Sequence, residues 1–206
     1  MAEVDGSREW LVTIGSAAMT PALDVMPDEF PRLTTGKFVL REILPSDAVD
    51  WHRYLSDSLH NEFTSTPEMS VSEVEELIAT LRDGVRRKTQ IRWALAEPAA
   101  GRMIGDLGYN VFWTRDRRAE IGYGLAPEYW RRGLMTSALS TIIDYGFSHF
   151  GLNKIEATVS VNNQRSAGLL RKLGFQLEGT LRDYRNRRGV LGDSWFFGLL
   201  LREWMT

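Results

Sequence analysis

Residues 120–136, EIGYGLAPEYWRRGLMT, decide how this chain folds, because they read as a strand, a sharp turn and the glycine-bearing start of a long helix. Ile121, Tyr123 and Leu125 alternate with Glu120, Gly122, Gly124 and Ala126, so one strand face is bulky and the other nearly bare. A bare face predicts that some group approaches the backbone closely. Pro127 has no amide to donate and ends the ladder, so the chain leaves the sheet over residues 128–130. From Gly133 onward Met135, Leu139, Ile142, Ile143, Gly146 and Phe150 fall at helical spacing, and Gly151 sits where a left-handed cap closes a helix. The mouth of that helix carries Arg131, Arg132 and Gly133. Unpaired amides and the positive dipole end favour an anion there, two arginines add full charge, and glycine lets phosphate oxygens reach the main chain. The cluster is therefore a candidate phosphate cradle, although a solvated arginine pair beside a turn glycine fits the same letters. It is neither a Walker loop nor a dinucleotide fingerprint, since the lysine of the first and the three spaced glycines of the second are missing.

The bounds set by the whole chain narrow the function. At 206 residues, with 43% hydrophobic and 25% charged, it suits one globular domain with an appendage. A net charge of -2 argues against a broad polyanion-binding surface and hence against nucleic acid as a partner. With no cysteine, disulfides, thiolate nucleophiles and sulfur-ligated metals are excluded, and a cytoplasmic location is the default expectation. No apolar run approaches membrane-spanning length, and the first ten residues mix Glu3, Asp5, Arg8 and Glu9 rather than opening on a basic segment.

Residues 1–32 have weak periodicity and contain Pro21, Pro27 and Pro31, which makes them an N-terminal extension, with residues 10–14 as a short apolar piece of it. Phe38, Leu40 and Ile43 then mark a first strand closed by Pro45, and Ser46 is placed to cap a short helix carrying Val49, Trp51, Tyr54 and Leu55. Residues 56–69 look irregular. Ser70 and Glu73 stand at the capping-box interval before a second helix with Val71, Val74, Leu77, Ile78 and Leu81 on one stripe. Residues 90–97 and 103–113 follow as antiparallel strands, the second with Leu107, Tyr109, Val111 and Trp113 on alternate positions. After the central strand and helix, Ile155, Ala157, Val159 and Val161 alternate in a strand that must run parallel to the one before the helix. A short helix with an asparagine cap and a glycine stop spans residues 162–175, and strands near 176–184 and 193–201 finish the chain.

This order resembles the acetyl-CoA-dependent GNAT superfamily of N-acetyltransferases. The stretch from Glu128 to Thr136 is similar to the family's Q/R-x-x-G-x-G/A loop, and Asn163, Ser166 and the run from Leu170 to Phe175 are similar to its asparagine helix with the K-x-G-F ending. With the opening from Leu33 to Arg41 and a tail from Gly192 to Trp204, the likeness covers residues 33–206, which are expected to form the N-acetyltransferase domain. It points to the branch of ribosomal-protein alanine and serine N-acetyltransferases. The resemblance implies an α/β (α+β) acyl-CoA N-acyltransferase fold, a mixed and mostly antiparallel sheet of about seven strands flanked by about four helices. Acetyl-CoA is the implied cosubstrate, without a metal, and the implied acceptor is a protein N-terminus or a small-molecule amine. Two departures stand out. Trp130 and Met135 replace family motif residues, so the anion must rely on main-chain amides from Arg131 through Gly133, Leu134 and Met135 to Thr136; and Leu170 takes the place of a tyrosine that protonates the leaving thiolate in many members.

Direct attack of an amine on the thioester suits a chain whose three histidines, His52, His60 and His149, lie in no nucleophile motif. Glu120 is the candidate base, acting through water from the strand face it shares with Gly122 and Gly124; a salt bridge to Arg117 or Arg118 is the competing role, and Glu156 and Asp183 are weaker candidates. A main-chain amide near Leu125 or Ala126 is the candidate donor to the thioester oxygen. By the resemblance, Ser166 meets the sulfur or the pantetheine arm, while Asn163 caps its helix, contacts the cofactor, or does both. Trp51, Tyr54, Phe63, Trp113, Trp130 and Trp195 are core residues or acceptor-lining ones, and His60 receives no role. A coenzyme A-binding domain without catalysis is the alternative raised by Leu170. The extension and exposed sheet edges leave a homodimer open.

Overall fold

The structure is a computed structural model and describes residues 26–36, 38–64, 68–98, 101–187 and 189–205. Eight strands form one sheet: β1 (Leu33–Thr35), β2 (Phe38–Glu42), β3 (Ile91–Ala96), β4 (Met103–Trp113), β5 (Arg118–Leu125), β6 (Lys154–Ser160), β7 (Gln176–Arg187) and β8 (Val190–Leu200). Their spatial order is β1-β2-β3-β4-β5-β6-β8-β7, and every neighbouring pair is antiparallel except β5 and β6. The helices are α1 (Ala48–Leu55), α2 (Ser58–Asn61), α3 (Val71–Arg86), α4 (Leu134–Ser148), α5 (Gln164–Lys172) and α6 (Leu201–Trp204).

Two apolar cores flank the sheet. On one face Ile91, Trp93, Leu107, Tyr109 and Ile121 pack against Leu139, Ile142 and Ile143 of α4 and Leu170 of α5. On the other, Ala94 and Met103 pack against Trp51 and Tyr54 of α1 and Val74, Leu77, Ile78 and Leu81 of α3. The capping box of α3 forms as expected: the Ser70 N–H donates to Glu73 Oε2 at 2.7 Å and the Glu73 N–H donates to Ser70 Oγ at 3.3 Å. Gly151 adopts φ +61, as its place after α4 requires.

The architecture is the expected one, a mixed and mostly antiparallel sheet flanked by helices. Against an expectation of about seven strands and about four helices, there are among the described residues eight strands, the three-residue β1 being too short to show alternation, and six helices, two of them single turns and one of these inside the segment expected to be irregular. Several local expectations need correction. Ser46 lies in a 3-10 turn, and Asp47 occupies the N-cap of α1 with its carboxylate turned to Arg41 (2.7 Å) and the Leu44 N–H (2.8 Å). Val49 is 67% exposed and leaves the apolar stripe. On β4 a bulge at Asn110 places Tyr109 opposite Ile121 but Val111 opposite Glu120. One extra residue inverts the alternation. Phe112 therefore continues the face of Tyr109, while Val111 and Trp113 turn to the opposite side.

The feature that positions the site is where β5 leaves β6. The parallel pairing covers only Arg118, Ala119 and Glu120 against Lys154, Ile155 and Glu156. Beyond Glu120 the strands part, with β5 still paired to β4 as far as Leu125 and β6 still paired to β8.

Glycine spacing makes a stability test. A Cβ at Gly108 would land on the Ile91 carbonyl of the neighbouring strand, whereas one at Gly168 in α5 would meet open space. Gly108→Ala should lower stability by about 1–3 kcal/mol, and Gly168→Ala should raise it by about 0.5–1 kcal/mol. Urea unfolding of both variants checks the pair.

Candidate functional site

The parting of β5 from β6 exposes half of a strand's hydrogen-bonding groups. The Ala126 N–H donates to the Ile104 carbonyl of β4 at 2.9 Å. By antiparallel alternation Gly124 and Gly122 also face β4, so Tyr123 and Leu125 present their main-chain N–H groups to the split. This decides between the two expected donors to a thioester oxygen. Ala126 is corrected: its amide is already committed within the sheet. Leu125 keeps an amide on the open side, and its carbonyl accepts from the Trp130 indole at 2.8 Å.

At the end of the split toward α4, Gly133 is the N-cap residue with φ +73, and no side chain caps the helix. The first intrahelical bond runs from Ser137 N–H to Gly133 C=O at 3.0 Å, so Leu134, Met135 and Thr136 have N–H groups with no partner inside the helix. Arg131 also has positive φ, +60. Both arginines are exposed, Arg132 with one nitrogen 2.7 Å from the Glu128 carbonyl and its guanidinium over the Tyr129 ring. The bulk of Met135 points into the core. The residues expected to cradle an anion thus present main-chain amides, with the guanidinium groups of Arg131 and Arg132 exposed beside them.

On the α4 face, α5 brings a hydroxyl to β5. Asn163 caps α5, its Oδ1 accepting from the Ser166 N–H at 3.0 Å. Ser166 Oγ lies 2.6 Å from the hydroxyl of Tyr123, whose burial pushes it up to about 12 against the opposing effect of that hydrogen bond. Leu170, where the family tyrosine was expected, is fully buried in the core. Sequence reasoning missed this tyrosine because Tyr123 counted only as a bulky strand residue.

The opposite face carries a continuous polar floor. The expectation that some group approaches the bare strand backbone is met by the protein's own side chains. A Cβ at Gly122 would meet Asn110 Nδ2 at 2.7 Å, and one at Gly124 would meet Asp106 Oδ1 at 3.0 Å, His60 Cε1 at 3.1 Å and Tyr54 at 3.6 Å. Asp106, only 3% exposed, accepts from the Tyr54 hydroxyl and is ion-paired to Arg92, which also donates to Asn110 Oδ1 at 2.7 Å. Glu120 continues the floor. Its Oε1 accepts from Thr158 Oγ1 at 3.1 Å and lies 3.6 Å from Arg185 of β7. The anticipated bridge to Arg117 or Arg118 does not form: Arg117 donates to the Gly151 carbonyl, and Arg118 pairs with Glu156 at 2.7 Å. Glu156 is thereby held by Arg118 and Lys154, and the Asp183 N–H donates to Asp193 Oδ1 at 2.9 Å within the hairpin. Burial raises the Glu120 carboxyl above the usual carboxylate range, with Arg185 and Thr158 opposing and Glu156 assisting.

Outside this floor a cavity of about 250 Å³ lies between α2 and the β7–β8 hairpin, lined by Ser56, Asn61, Glu62, Glu68 and Arg187 among others. Arg165 of α5 reaches across to Glu62 at 2.7 Å and stacks over Trp130 at 4.5 Å, tying the α2 segment to both sides of the split. Among the described residues no group of three or more His, Cys, Asp or Glu side chains is placed to hold a metal ion, and no helix is long and apolar enough to cross a membrane.

The acetyltransferase (GNAT) domain family matches residues 37–176. The chain is 35% identical over 166 residues to the uncharacterized N-acetyltransferase YoaA of Bacillus subtilis, covering 80% of this chain and 94% of that one. It is 25% identical over 179 residues to the [ribosomal protein uS5]-alanine N-acetyltransferase of Escherichia coli, covering 84% and 92%. Among solved structures, Mycobacterium smegmatis RimJ in complex with CoA-disulfide superposes with a TM-score of 0.76 at 27% identity, covering 87% of this chain and 90% of that one.

The raised Glu120 carboxyl has a consequence for stability. A carboxyl with a folded pKa above its unfolded one binds its proton more tightly when folded, so its ionisation costs stability as pH rises through the shifted value. Glu120→Gln removes that cost. Its stability relative to the parent should therefore improve as pH rises from the ordinary carboxylate value of about 4.3, as read by urea midpoints. A difference that is flat with pH would contradict the shift.

Proposed function

The chain belongs to the GNAT acetyltransferase family, and on that premise we propose that it transfers acetyl from acetyl-CoA to the α-amine of a protein N-terminus. Residues 33–206 form the catalytic unit and residues 1–32 an extension to it. The last part of that extension docks on the unit, with Met26 buried, Phe30 edge-on to Trp93 and the Trp93 indole donating to the Pro31 carbonyl at 2.8 Å; residues 10–14 lie outside the described residues. The proposal includes a cytoplasmic location and self-association through the exposed β7 edge, where Leu177 and Tyr184 are each 46% exposed.

The observation that carries the reading is the split itself, an unpaired strand edge leading to an uncapped helix mouth. The thioester carries an already activated acetyl group with a sulfur leaving group. In this reading the amides of Leu134, Met135 and Thr136, with Arg131, Arg132 and the open space at Gly133, hold the pyrophosphate. The edge of β5 and the start of α5, with Asn163 and Ser166, hold the pantetheine arm, and the Leu125 N–H polarises the thioester oxygen. Glu120 relieves the incoming ammonium of a proton through water. The Ser166 and Tyr123 hydroxyl pair supplies a proton to the sulfur, so Leu170 does not leave the site without a donor.

An α-amine suits this machinery. It titrates near ~8, against ~10.4 for lysine, and is partly neutral before any base acts. Glu120, bonded to Thr158 and near Arg185, is a restrained base rather than a strong one. The cavity near the floor mixes Glu62 and Glu68 with Arg187, a poor match for a polycation and a fair one for a peptide main chain. The uS5-alanine relative points the same way.

Mass spectrometry of products from a panel of N-terminal peptides, lysine-containing peptides and polyamines tests the acceptor, with acetylation of the first group expected. Gly133→Val, which strains a positive φ and crowds the cradle, should weaken acetyl-CoA binding at least tenfold, about 1.4 kcal/mol, by calorimetry; unchanged affinity would misplace the cradle. Tyr123→Phe should lower kcat by about 10-fold or more while leaving acetyl-CoA affinity intact. A kcat equal to the parent's would remove Tyr123 from the proton path.

A further inference from the structure

His60 is a titratable side chain on the polar floor that the mechanism above leaves unused. It stands on α2, a single turn fixed from both ends: Asp57 Oδ1 accepts from the Leu59 N–H at 2.8 Å, and the Asn61 side chain donates to the Leu55 carbonyl. The ring packs edge-on to Tyr54 with centroids 5.0 Å apart and covers Gly124 so closely that a Cβ there would lie 3.1 Å from Cε1. It also contacts the Leu125 main chain. That is the end of β5 where the thioester carbonyl is placed.

We infer that His60 is a second proton acceptor for the transfer, receiving the proton that the acceptor nitrogen sheds as its bond to the acetyl carbon forms. The inference rests on the acetyl-transfer reading. An ammonium must lose two protons to become an amide nitrogen, one before attack and one during it. Glu120 and Gly124 are four residues apart on one strand, about 13 Å, so one carboxylate cannot serve both the approach and the reacting end. Asp106 is nearer, but Tyr54 and Arg92 engage its oxygens. An imidazole with two ring nitrogens and one main-chain partner keeps a nitrogen for a proton. The N–C bond forms and the C–S bond breaks with its electron pair on sulfur; the nitrogen's proton passes to His60 and then to solvent, as does the one Glu120 took before attack, and the sulfur gains one from the Ser166–Tyr123 pair, which recovers it from solvent. One proton is released per turnover.

The surroundings keep the imidazole neutral. Burial lowers its pKa, while Asp106, Asp57 and the Leu125 main chain push the other way. Tyr54, the remaining titratable group against the ring, is itself held protonated by burial and by Asp106. Activity that depends on a neutral His60 is present at neutral pH and lost as pH falls through the His60 value.

The test uses the full chain with acetyl-CoA and a peptide bearing a free N-terminal alanine or serine. His60→Gln should lower kcat about 10²-fold, leave acetyl-CoA affinity within about twofold by calorimetry, and remove from the acid limb of the kcat/KM profile the step that follows the His60 titration, whereas Glu120→Gln should retain that step. Proton NMR of the parent supplies a readout that needs no variant, because the chain has only three histidines. The His60 titration should coincide with the acid limb. A His60→Gln enzyme with the parent's kcat and limb, or a His60 titration displaced from the limb by more than about one unit, overturns the assignment. A parent that binds no acetyl-CoA removes the acetyl-transfer reading, and this inference with it.

Discussion

A strand cannot end its pairing inside a protein without leaving polar groups to be satisfied, and this fold turns that obligation to use between β5 and β6. The two strands share three paired positions and then separate, so amides at Tyr123 and Leu125 point into the gap. The bulge at Asn110 lies at the same level of the sheet, where it bends β4 and re-aims its side chains. The gap opens onto α4, whose first turn has glycine in place of a capping side chain. In the proposed reading an extended acyl chain ending in phosphates completes both, its arm in place of a neighbouring strand and its phosphates in place of an N-cap.

The glycines of β5 serve the opposite face. They admit Asn110, Asp106, Tyr54 and His60 against the backbone, building a floor in which charges are buried only with partners. An ion pair such as Arg92–Asp106 adds little net stability, but removal of one member would strand the other, at a cost of about 3–5 kcal/mol. Its value is in fixing geometry. Tyr54 cannot rotate away from Asp106 without orphaning its hydroxyl, and the ring of His60 rests against it. The floor of the gap is therefore held in place by paired groups where the edge of β5 is open.

Much of this was legible from residue order. The strand, turn and helix of residues 120–136, the parallel partner after α4, the Asn163 cap and the Ser70–Glu73 box all follow from local chemistry, which repeats wherever those residues meet. What escaped was set by pairing between distant segments. The bulge at Asn110 leaves no local mark, and with it went the phase of Val111 and Trp113. Whether Ala126 or Leu125 keeps a free amide depends on register with β4, so the two were indistinguishable before the partner strand was placed. Arg185 and Thr158, rather than the adjacent arginines, surround Glu120 because β6 and β7 bring them there. Tyr123 and His60 went unread for the same reason: each acquires meaning only from a neighbour more than forty residues away, Ser166 in one case and Gly124 in the other.

Amide hydrogen exchange measured with and without acetyl-CoA tests the open strand edge most directly. The account predicts new protection at Tyr123 and Leu125 and at Leu134 through Thr136 when the nucleotide is added, with Gly122 and Gly124 unchanged because β4 already protects them. Protection at Gly122 and Gly124 instead, or confined to segments away from β5 and α4, would contradict it.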